Sequence, residues 1–387
     1  MIYDAIVVGS GPGGAIAAAT LAQRGKSVLL VDRQSFPRDK VCGDGLPGNV
    51  MEMLIKELGI DIQKAGLKYQ QIYGIDMVAP SGSTLLVREK PSAYYSMVSP
   101  RYHFDNMLHQ YALSKGAHFE VMDVDAPLYS KDGNQVIGIV QRQGKTLIEH
   151  EARIVIAADG VSSAVTRSLR GRVADPAETA VAIRAYARLK RPLRPDPTVY
   201  FKYLLDLVPG YAWIFPTARD QVNVGLGLFD QEMYKRRGKS LKELLNEFSD
   251  AIQNEFPLEI EPGTLKSWPI PVWTSQDSRV VKGVYLVGDA GRFVDALTGG
   301  GIYPAMVTGQ LAGQAASRQL EGMHPAAAAA MYDAGWRKGI GKSLQRLLWV
   351  QHWIGSKPSV FNAIFNVANA VPPLRSTLLT GLAGQHS

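Results

Sequence analysis

A glycine-rich turn near the start of the chain constrains the fold most strongly. The segment Gly9-Ser10-Gly11-Pro12-Gly13-Gly14 follows a short apolar strand, Ala5 to Val8, and opens an alanine-rich helix predicted over Ala15 to Gln23. A second strand, Ser27 to Val31, is followed directly by Asp32. This order predicts a βαβ unit that binds a dinucleotide, with the pyrophosphate at the helix N-terminus. A tight turn without a ligand is the alternative.

The acidic residue after the second strand narrows the choice of nucleotide. A carboxylate can accept hydrogen bonds from both ribose hydroxyls, whereas it would repel the 2′-phosphate of NADP. We therefore expect FAD or NAD. The residues of this unit predicted to contact the cofactor are Gly9, Gly11, Pro12, Gly13, Gly14, Asp32 and Arg33.

Length and composition are those of a folded protein with two or three domains. The chain has 387 residues, of which 46% are hydrophobic and 20% are charged, so a disordered or fibrous protein is excluded. Apolar stretches are interrupted too often for a bilayer-spanning helix, and the N-terminus does not resemble a signal peptide. A cytoplasmic location is expected.

Cysteine, histidine and charge patterns favour neither a metal site nor nucleic-acid binding. Cys42 is the single cysteine and the seven histidines are scattered, so no metal is predicted. The net charge is +7, with basic clusters between Arg184 and Arg194 and between Lys235 and Lys242. This excess of positive charge indicates either an anionic binding partner or basic residues that are simply exposed to solvent. Neither cluster has the interleaved aromatic residues of a single-stranded nucleic-acid site.

Two downstream motifs favour FAD over NAD. Ala157-Ala158-Asp159-Gly160 closes one strand, and Val287-Gly288-Asp289-Ala290-Gly291 closes another before Leu297-Thr298-Gly299-Gly300-Gly301-Ile302. An NAD-binding domain requires neither. Together with the N-terminal unit they resemble the flavoprotein family that contains para-hydroxybenzoate hydroxylase and the geranylgeranyl reductases. The resemblance implies FAD contacts by Asp159, Gly160, Gly288, Asp289, Gly299, Gly300, Gly301 and Ile302.

Further segments resemble the geranylgeranyl reductase branch of that family. Lys40-Val41-Cys42-Gly43-Asp44-Gly45-Leu46 is similar to the segment beside the isoalloxazine ring, and residues 209–216, PGYAWIFP, match the family's Y-x-W-x-F-P motif, followed by Gly225-Leu226-Gly227. The resemblance implies flavin contacts by Cys42, Gly43 and Gly45, and pairing of Arg101 with the pyrophosphate.

The same resemblance indicates a catalytic centre. Cys42, Tyr211 and Trp213 are predicted to lie in it, with the two aromatic residues as walls of a prenyl channel; simple packing roles are the alternative for all three. Asp295-Ala296 stands where family members usually have Asn-Pro, and a carboxylate there would change the flavin potential or handle protons. Asp295 is therefore a fourth predicted catalytic residue. The hydroxylase pattern after the second motif is absent, which disfavours hydroxylation.

These patterns together predict an α/β fold. An FAD-binding Rossmann-like domain is expected over residues 1–75, 97–178 and 275–322. An inserted antiparallel β-sheet substrate domain is expected over 76–96 and 179–274, where β-branched and aromatic residues alternate. A C-terminal helical region is expected over 323–387, with helices beginning near 325, over 343–354 and over 359–370.

The predicted activity is FAD-dependent reduction of C=C bonds in an isoprenoid chain, with NAD(P)H or ferredoxin as the electron donor. The alternatives are a flavin monooxygenase or halogenase acting on an aromatic or lipid substrate, and a flavin-bearing carrier or electron-transfer protein without turnover. Because prenyl lipids are almost insoluble, peripheral contact with a membrane is also expected, through the basic clusters and the Leu/Trp face of residues 344–354.

Overall fold

Over the residues that the structure describes, the chain forms three β-sheets with helices packed on and around them. A computed structural model describes residues 2–89, 92–175, 178–204, 207–208, 210–229, 238–354 and 357–371. The strands are β1 (Tyr3–Val8), β2 (Val28–Asp32), β3 (Gly45–Leu46), β4 (Gln70–Gln71), β5 (Gly74–Val78), β6 (Thr84–Arg88), β7 (Met97–Val98), β8 (His118–Val121), β9 (Val124–Tyr129), β10 (Val136–Gln143), β11 (Thr146–Ala157), β12 (Thr179–Leu189), β13 (Val199–Lys202), β14 (Tyr211–Pro216), β15 (Gln221–Leu228), β16 (Leu258–Ile260), β17 (Lys266–Pro271), β18 (Val280–Val281) and β19 (Val284–Leu286). The α-helices are α1 (Pro12–Ala22), α2 (Gly48–Glu52), α3 (Arg101–Ser114), α4 (Ala164–Arg170), α5 (Leu241–Ala251), α6 (Ile302–Leu320), α7 (Pro325–Trp336), α8 (Lys342–Ile354) and α9 (Pro358–Ala370).

The first sheet carries the N-terminal βαβ unit. Its order is β18-β19-β11-β1-β2-β8, and β1 pairs in parallel with β2 and with β11. Since β11 and β19 are also parallel, the carboxyl ends of these four strands meet at one edge. That edge carries the glycine-rich turn, Asp32, Asp159 and the 3₁₀ turn Gly288–Gly291.

One strand of this sheet is longer than the sequence predicted. Most of the apolar run predicted over Ile154 to Ala158 forms the buried end of β11, which ends at Ala157. The first half of β11 pairs antiparallel with β10. That first half is mostly exposed and polar, so hydrophobic patterning does not reveal it.

The second sheet contains the alternating segments of residues 180–270. Its order is β16-β12-β15-β14-β13-β5-β6, with β17 also paired to β12. The pairs are antiparallel as predicted, except that β13 runs parallel to β5, with Val199 opposite Ile75. Strands β5 and β6 enter this sheet from much earlier in the chain than its other strands. Together with the C-terminal helices, the two sheets confirm the predicted fold class.

Helices α1 and α6 pack against each other beside the first sheet. Nearly every residue of α1 is buried, and its alanines share one core with Ala312, Ala315 and Ala316 of α6. Small side chains on both helices allow this close packing. Both helices begin at the carboxyl-end edge of the sheet, so their N-terminal N–H groups face the same region.

The C-terminal region is helical where the sequence predicted helices. Helix α9 packs on β5 and β6 through Phe361 and Phe365, which share a core with Met77 and Leu85. The amide oxygen of Asn362 accepts a hydrogen bond from Ser81 N at 3.0 Å. Within the described ranges, no helix is both long and apolar enough to cross a bilayer.

The basic residues between Arg184 and Arg194 were expected to be solvent-exposed and unpaired, and two of them are not. Arg184 is 1% exposed and donates to Asp39 at 2.7 Å, so it belongs to the interior. Arg188 is exposed but lies 3.4 Å from carboxylate oxygens of Asp220 and Glu261. In the second cluster, Lys235, Arg236 and Arg237 lie outside the described residues.

Candidate active site

A cavity of about 770 Å³ lies between the first and second sheets. Residues from the carboxyl-end edge of the first sheet line one part, and side chains of β12, β13 and β14 line the other. The sequence-predicted site residues that line it are Gly9, Gly11, Pro12, Gly13, Asp32, Arg33, Cys42, Gly43, Gly45, Arg101, Asp159, Gly160, Tyr211, Trp213, Gly288, Asp289, Asp295, Gly299, Gly300, Gly301 and Ile302. Gly14 is different: a Cβ there would lie 1.7 Å from Gly9 O, so this glycine serves the packing of the turn.

Gly9 and Gly11 have different physical roles in this turn. Gly9 has a φ of +96°, and a Cβ there would lie 2.3 Å from Ala158 O. Gly11 has an ordinary φ of −69°, and the nearest atom to a Cβ would be Arg38 Nη2 at 3.7 Å. Gly9 is therefore required by the fold, whereas the space above Gly11 is open.

Asp32 is held by the glycine-rich turn that it faces. Its Oδ2 accepts from Ser10 N at 2.9 Å and its Oδ1 from Gln34 N at 3.1 Å. A carboxylate can accept about four hydrogen bonds, so both oxygens retain capacity for further donors such as ribose hydroxyls.

Arg38 is a site residue that sequence reasoning missed. Its Nη1 donates to Asp105 Oδ2 at 3.1 Å, and its Nη2 lies 3.7 Å from Asp32 Oδ2. The guanidinium also stacks over Phe36, with 4.7 Å from Cζ to the ring centroid. This places a fixed cation beside Gly11, where a pyrophosphate would need one. No motif marks it; the only signal is its position a few residues after Asp32.

Arg101 also donates hydrogen bonds to the carboxylate of Asp105. Its Nε donates to Asp105 Oδ1 at 2.5 Å and its Nη2 to Asp105 Oδ2 at 2.8 Å. Burial would lower the pKa of Arg101, but Asp105 and the Cys42 thiol more than compensate, and the pKa is raised. Arg101 therefore stays charged, with one edge of its guanidinium bound to Asp105.

Two aspartates at strand ends complete this side of the cavity. Asp159 Oδ2 accepts from Ala164 N at 2.9 Å at the start of α4, and burial raises its pKa to about 6. Asp289 lies on the turn after β19, and Arg279 holds that turn by donating from Nε to Gly291 O at 2.7 Å. The turn is thus fixed independently of any ligand.

The loop from Asp39 to Asp44 joins the two halves of the cavity. Burial lowers the pKa of Lys40 to about 8 despite the nearby Asp289 carboxylate, and its Nζ lies 4.1 Å from the Trp268 ring centroid. Cys42 is half-buried and lines the cavity. An ammonium, a thiol and a guanidinium therefore meet where the two sheets approach each other.

Asp44 anchors this loop in the interior. It is fully buried with a φ of +67°, and its Oδ2 accepts from Tyr186 OH at 2.7 Å and Asn223 Nδ2 at 2.8 Å. Asn223 Nδ2 also donates to Cys42 O at 2.7 Å, and its Oδ1 accepts from Trp213 Nε1 at 2.9 Å. Burial raises the pKa of Asp44 to about 6, and its hydrogen bonds limit the rise. Sequence reasoning did not select Tyr186, Asn223 or Asp44.

The second sheet supplies an aromatic wall. The Tyr211 ring contacts Phe201 and Trp213, with centroids 5.2 and 6.0 Å away. Its hydroxyl donates a short hydrogen bond to Thr298 O, and burial raises its pKa. Tyr211 therefore stays protonated and ties the wall to the glycine-rich segment before α6.

Asp295 shapes that segment from inside. Its Oδ1 accepts from Leu297 N at 3.0 Å and Thr298 N at 2.6 Å, while its Oδ2 accepts from Gly300 N at 3.1 Å and from the Thr298 hydroxyl. Burial raises the pKa of this carboxyl. With four local donors, Asp295 supports the conformation of residues 297–301.

The cavity fits a flavin dinucleotide in shape and chemistry. The open surface over Gly11, the acceptor Asp32 and the cation Arg38 would hold the ribose and pyrophosphate at the polar end. The Cys42 loop and residues 297–301 would hold the ring system where the polar and aromatic parts meet. A dinucleotide site that opens directly onto an apolar chamber defines the class of protein: an FAD-dependent oxidoreductase.

Comparison with known proteins gives the family. Residues 2–334 match the FAD binding domain family. The digeranylgeranylglycerophospholipid reductase of Methanosphaerula palustris is 32% identical over 358 residues, covering 89% of this chain and 84% of that protein. The menaquinone reductase of Mycobacterium tuberculosis is 28% identical, covering 97% and 91%. The chain therefore belongs to the geranylgeranyl reductase family of FAD-binding flavoproteins.

A solved structure agrees at the level of the fold. The geranylgeranyl bacteriochlorophyll reductase-like protein of Thermoplasma acidophilum is 23% identical and superposes with a TM-score of 0.82. The match covers 94% of this chain and 91% of that one. The predicted cofactor, FAD, and the predicted enzyme class are confirmed.

Proposed function

We propose that this flavoprotein reduces carbon–carbon double bonds of an isoprenoid chain carried by a lipid. When bound, reduced FAD supplies a hydride, and a proton completes the addition of H₂ across the double bond. The proposal rests on the aromatic wall of β13 and β14 beside the Cys42 loop. A hydrocarbon chain has no hydrogen-bonding groups, so such a wall retains it by apolar burial. The name of the 32%-identical relative supports the same substrate class.

The chain's own residues would hold the cofactor from three sides. Gly11 and the start of α1 would receive the pyrophosphate, Asp32 the ribose, and Arg38 the phosphate charge. The segment 299–302, at the start of α6, would lie under the flavin ring. Backbone N–H groups there suit the negative charge that gathers on the ring after reduction.

The remaining predicted residues would position the alkene. An isolated double bond accepts hydride poorly, so it has to be held close and in one orientation. Trp213 and Tyr211 would form the channel wall, and Asp295 would keep residues 297–301 in place. Cys42, whose thiol interacts with Arg101, would contact the reacting bond.

Anaerobic turnover tests the proposal directly. Purified enzyme, reduced chemically so that neither NAD(P)H nor ferredoxin is needed, is given a geranylgeranyl lipid without oxygen. The expected product, identified by mass spectrometry, gains H₂ for each reduced double bond. Cys42→Ala and Tyr211→Phe should keep FAD and fold while lowering the rate or changing which bonds are reduced.

Other outcomes would overturn the proposal. Product that forms only in oxygen, with an oxygen or halogen atom incorporated, would identify a monooxygenase or halogenase. Lipid bound in equal amount to the enzyme, without any product, would identify a carrier.

A further inference from the structure

Helix α8 presents opposite faces to the cavity and to solvent. Leu344 and Leu347 are 2% and 5% exposed and line the cavity. Trp349 and Trp353 are 59% and 62% exposed, and their ring centroids are 5.5 Å apart. Tryptophan is normally well buried, so two adjacent exposed indoles require a physical reason.

The helical repeat places basic residues beside these indoles. With about 3.6 residues per turn, Lys342, Arg346, Trp349 and Trp353 fall within one narrow sector, opposite Leu344 and Leu347. Lys342 and Arg346 are exposed, and α8 contains no acidic residue. We call Lys342, Arg346, Trp349 and Trp353 the tryptophan face.

We propose that the tryptophan face binds the surface of an anionic phospholipid bilayer, with both indoles at the level of the headgroups. The inference rests on the proposed function, because a membrane lipid is then the substrate. Indole rings prefer the boundary between water and hydrocarbon, since they combine a large apolar surface with an N–H donor. Lys342 and Arg346 add attraction to anionic headgroups.

Charge makes a second copy of this chain a poorer occupant. Two copies packed face to face would bring Lys342 and Arg346 of both chains together, and like charges at short range oppose association. A bilayer carries the opposite charge and spreads it over a plane.

The position of α8 also connects the membrane to the cavity. The helix that binds headgroups on one side forms the cavity wall with Leu344 and Leu347 on the other. Membrane binding therefore brings the cavity within about one helix diameter, roughly 10 Å, of the lipid surface. A prenyl chain then reaches the active site without crossing bulk water.

Vesicle binding by the full-length FAD-loaded protein tests this proposal. Co-sedimentation is measured with vesicles of phosphatidylglycerol and phosphatidylcholine, and with phosphatidylcholine alone. Wild-type protein should pellet with the anionic vesicles and be released by salt. Trp349→Ser/Trp353→Ser should lower the vesicle partition coefficient roughly tenfold or more, since binding scales with inserted apolar area. Leu147→Ser, which removes an exposed apolar residue on β11, should match wild type.

Membrane binding and lipid reduction can be tested separately, by measuring how deeply the indoles enter the bilayer and by measuring turnover. Lipids brominated near the headgroup should quench wild-type tryptophan fluorescence more than the double variant's fluorescence. With detergent-solubilised substrate the double variant should turn over normally, whereas with vesicle-borne substrate its rate should fall. Vesicle binding without reduction of any lipid would refute only the proposed function.

Three results would overturn the membrane assignment. One is wild-type protein that does not pellet with anionic vesicles at low salt. Another is a lipid-free dimer that the double serine variant converts to monomer. The third is equal pelleting of wild type and the double variant.

Discussion

Asn223 Nδ2 donates to Asp44 Oδ2 at 2.8 Å and thereby joins the Cys42 loop to β15 of the second sheet. Both residues are fully buried. The same amide holds Cys42 O and accepts from the Trp213 indole, so one side chain sets the position of the Cys42 loop relative to the aromatic wall. A buried polar group with all its partners present contributes strongly to a single well-defined arrangement.

Replacing Asn223 by alanine should destabilise the protein markedly. The change removes the acceptor of the Trp213 indole N–H, a donor to Cys42 O and one of the two side-chain donors to Asp44 Oδ2. A buried polar group that loses its partner costs about 1–3 kcal/mol. We expect the free energy of unfolding, measured by urea denaturation, to fall by about 2–4 kcal/mol. Asn134→Ala, in an exposed turn where Asn134 bonds Asp132, is the control and should change little. Equal stability of the two variants would contradict the assigned role.

Tyr186→Phe should make stability more sensitive to pH. Burial raises the pKa of Asp44 from its ordinary 3.8 to about 6, so the folded state retains a proton that the unfolded state releases between these values. Stability attributable to Asp44 therefore falls as pH rises through this window. The Tyr186 hydroxyl stabilises the ionised carboxylate, and its loss should raise the pKa further.

The variant should therefore differ little from wild type below about pH 5 and by about 1–2 kcal/mol above about pH 7. Urea denaturation across this pH range measures the difference. Tyr102→Phe, on an exposed side chain, is the matched control. A loss of stability that is the same at every pH would mean that Tyr186 acts by packing alone.

Local patterns predicted the parts of the site that lie on continuous motifs. Gly11 and Asp32 line the cavity, because a strand followed by a tight turn projects its residues in a direction that the local sequence determines. Tyr211 also lines it, but its prediction came from the resemblance to the Y-x-W-x-F-P motif of the family. Asn223 and Cys42 are 181 residues apart in sequence, and single-sequence periodicity carries no information about such a contact. Arg184 illustrates the same limit: its basic neighbours suggested surface charge, but its partner Asp39 is 145 residues away.

Gly225→Ala should perturb the aromatic wall, whereas Gly227→Ala should not. A Cβ at Gly225 would lie 2.3 Å from Trp213 Cζ2 and 2.5 Å from Ile183 O. A Cβ at Gly227 would have its nearest neighbours at 3.9 Å. The first change forces Trp213 and two strands apart, and such overpacking costs about 1–3 kcal/mol. Thermal melts of the two variants test this, and activity on a geranylgeranyl lipid should fall only for Gly225→Ala.

Gly9→Ala should lower protein stability, whereas Gly11→Ala should lower FAD affinity without lowering stability. At Gly9 the left-handed backbone and the contact with Ala158 O exclude a side chain, so Gly9→Ala should destabilise the chain with or without FAD. At Gly11 the backbone is ordinary and a Cβ meets nothing closer than 3.7 Å. Gly11→Ala should therefore keep the wild-type melting temperature in flavin-free protein.

In the FAD-loaded protein the methyl group added by Gly11→Ala occupies the space that the pyrophosphate needs, and we expect FAD affinity to fall roughly tenfold or more. Flavin absorbance after dialysis measures occupancy, and Gly11→Val should be more severe than Gly11→Ala. Full FAD retention by both Gly11 variants would show that the dinucleotide does not approach this turn.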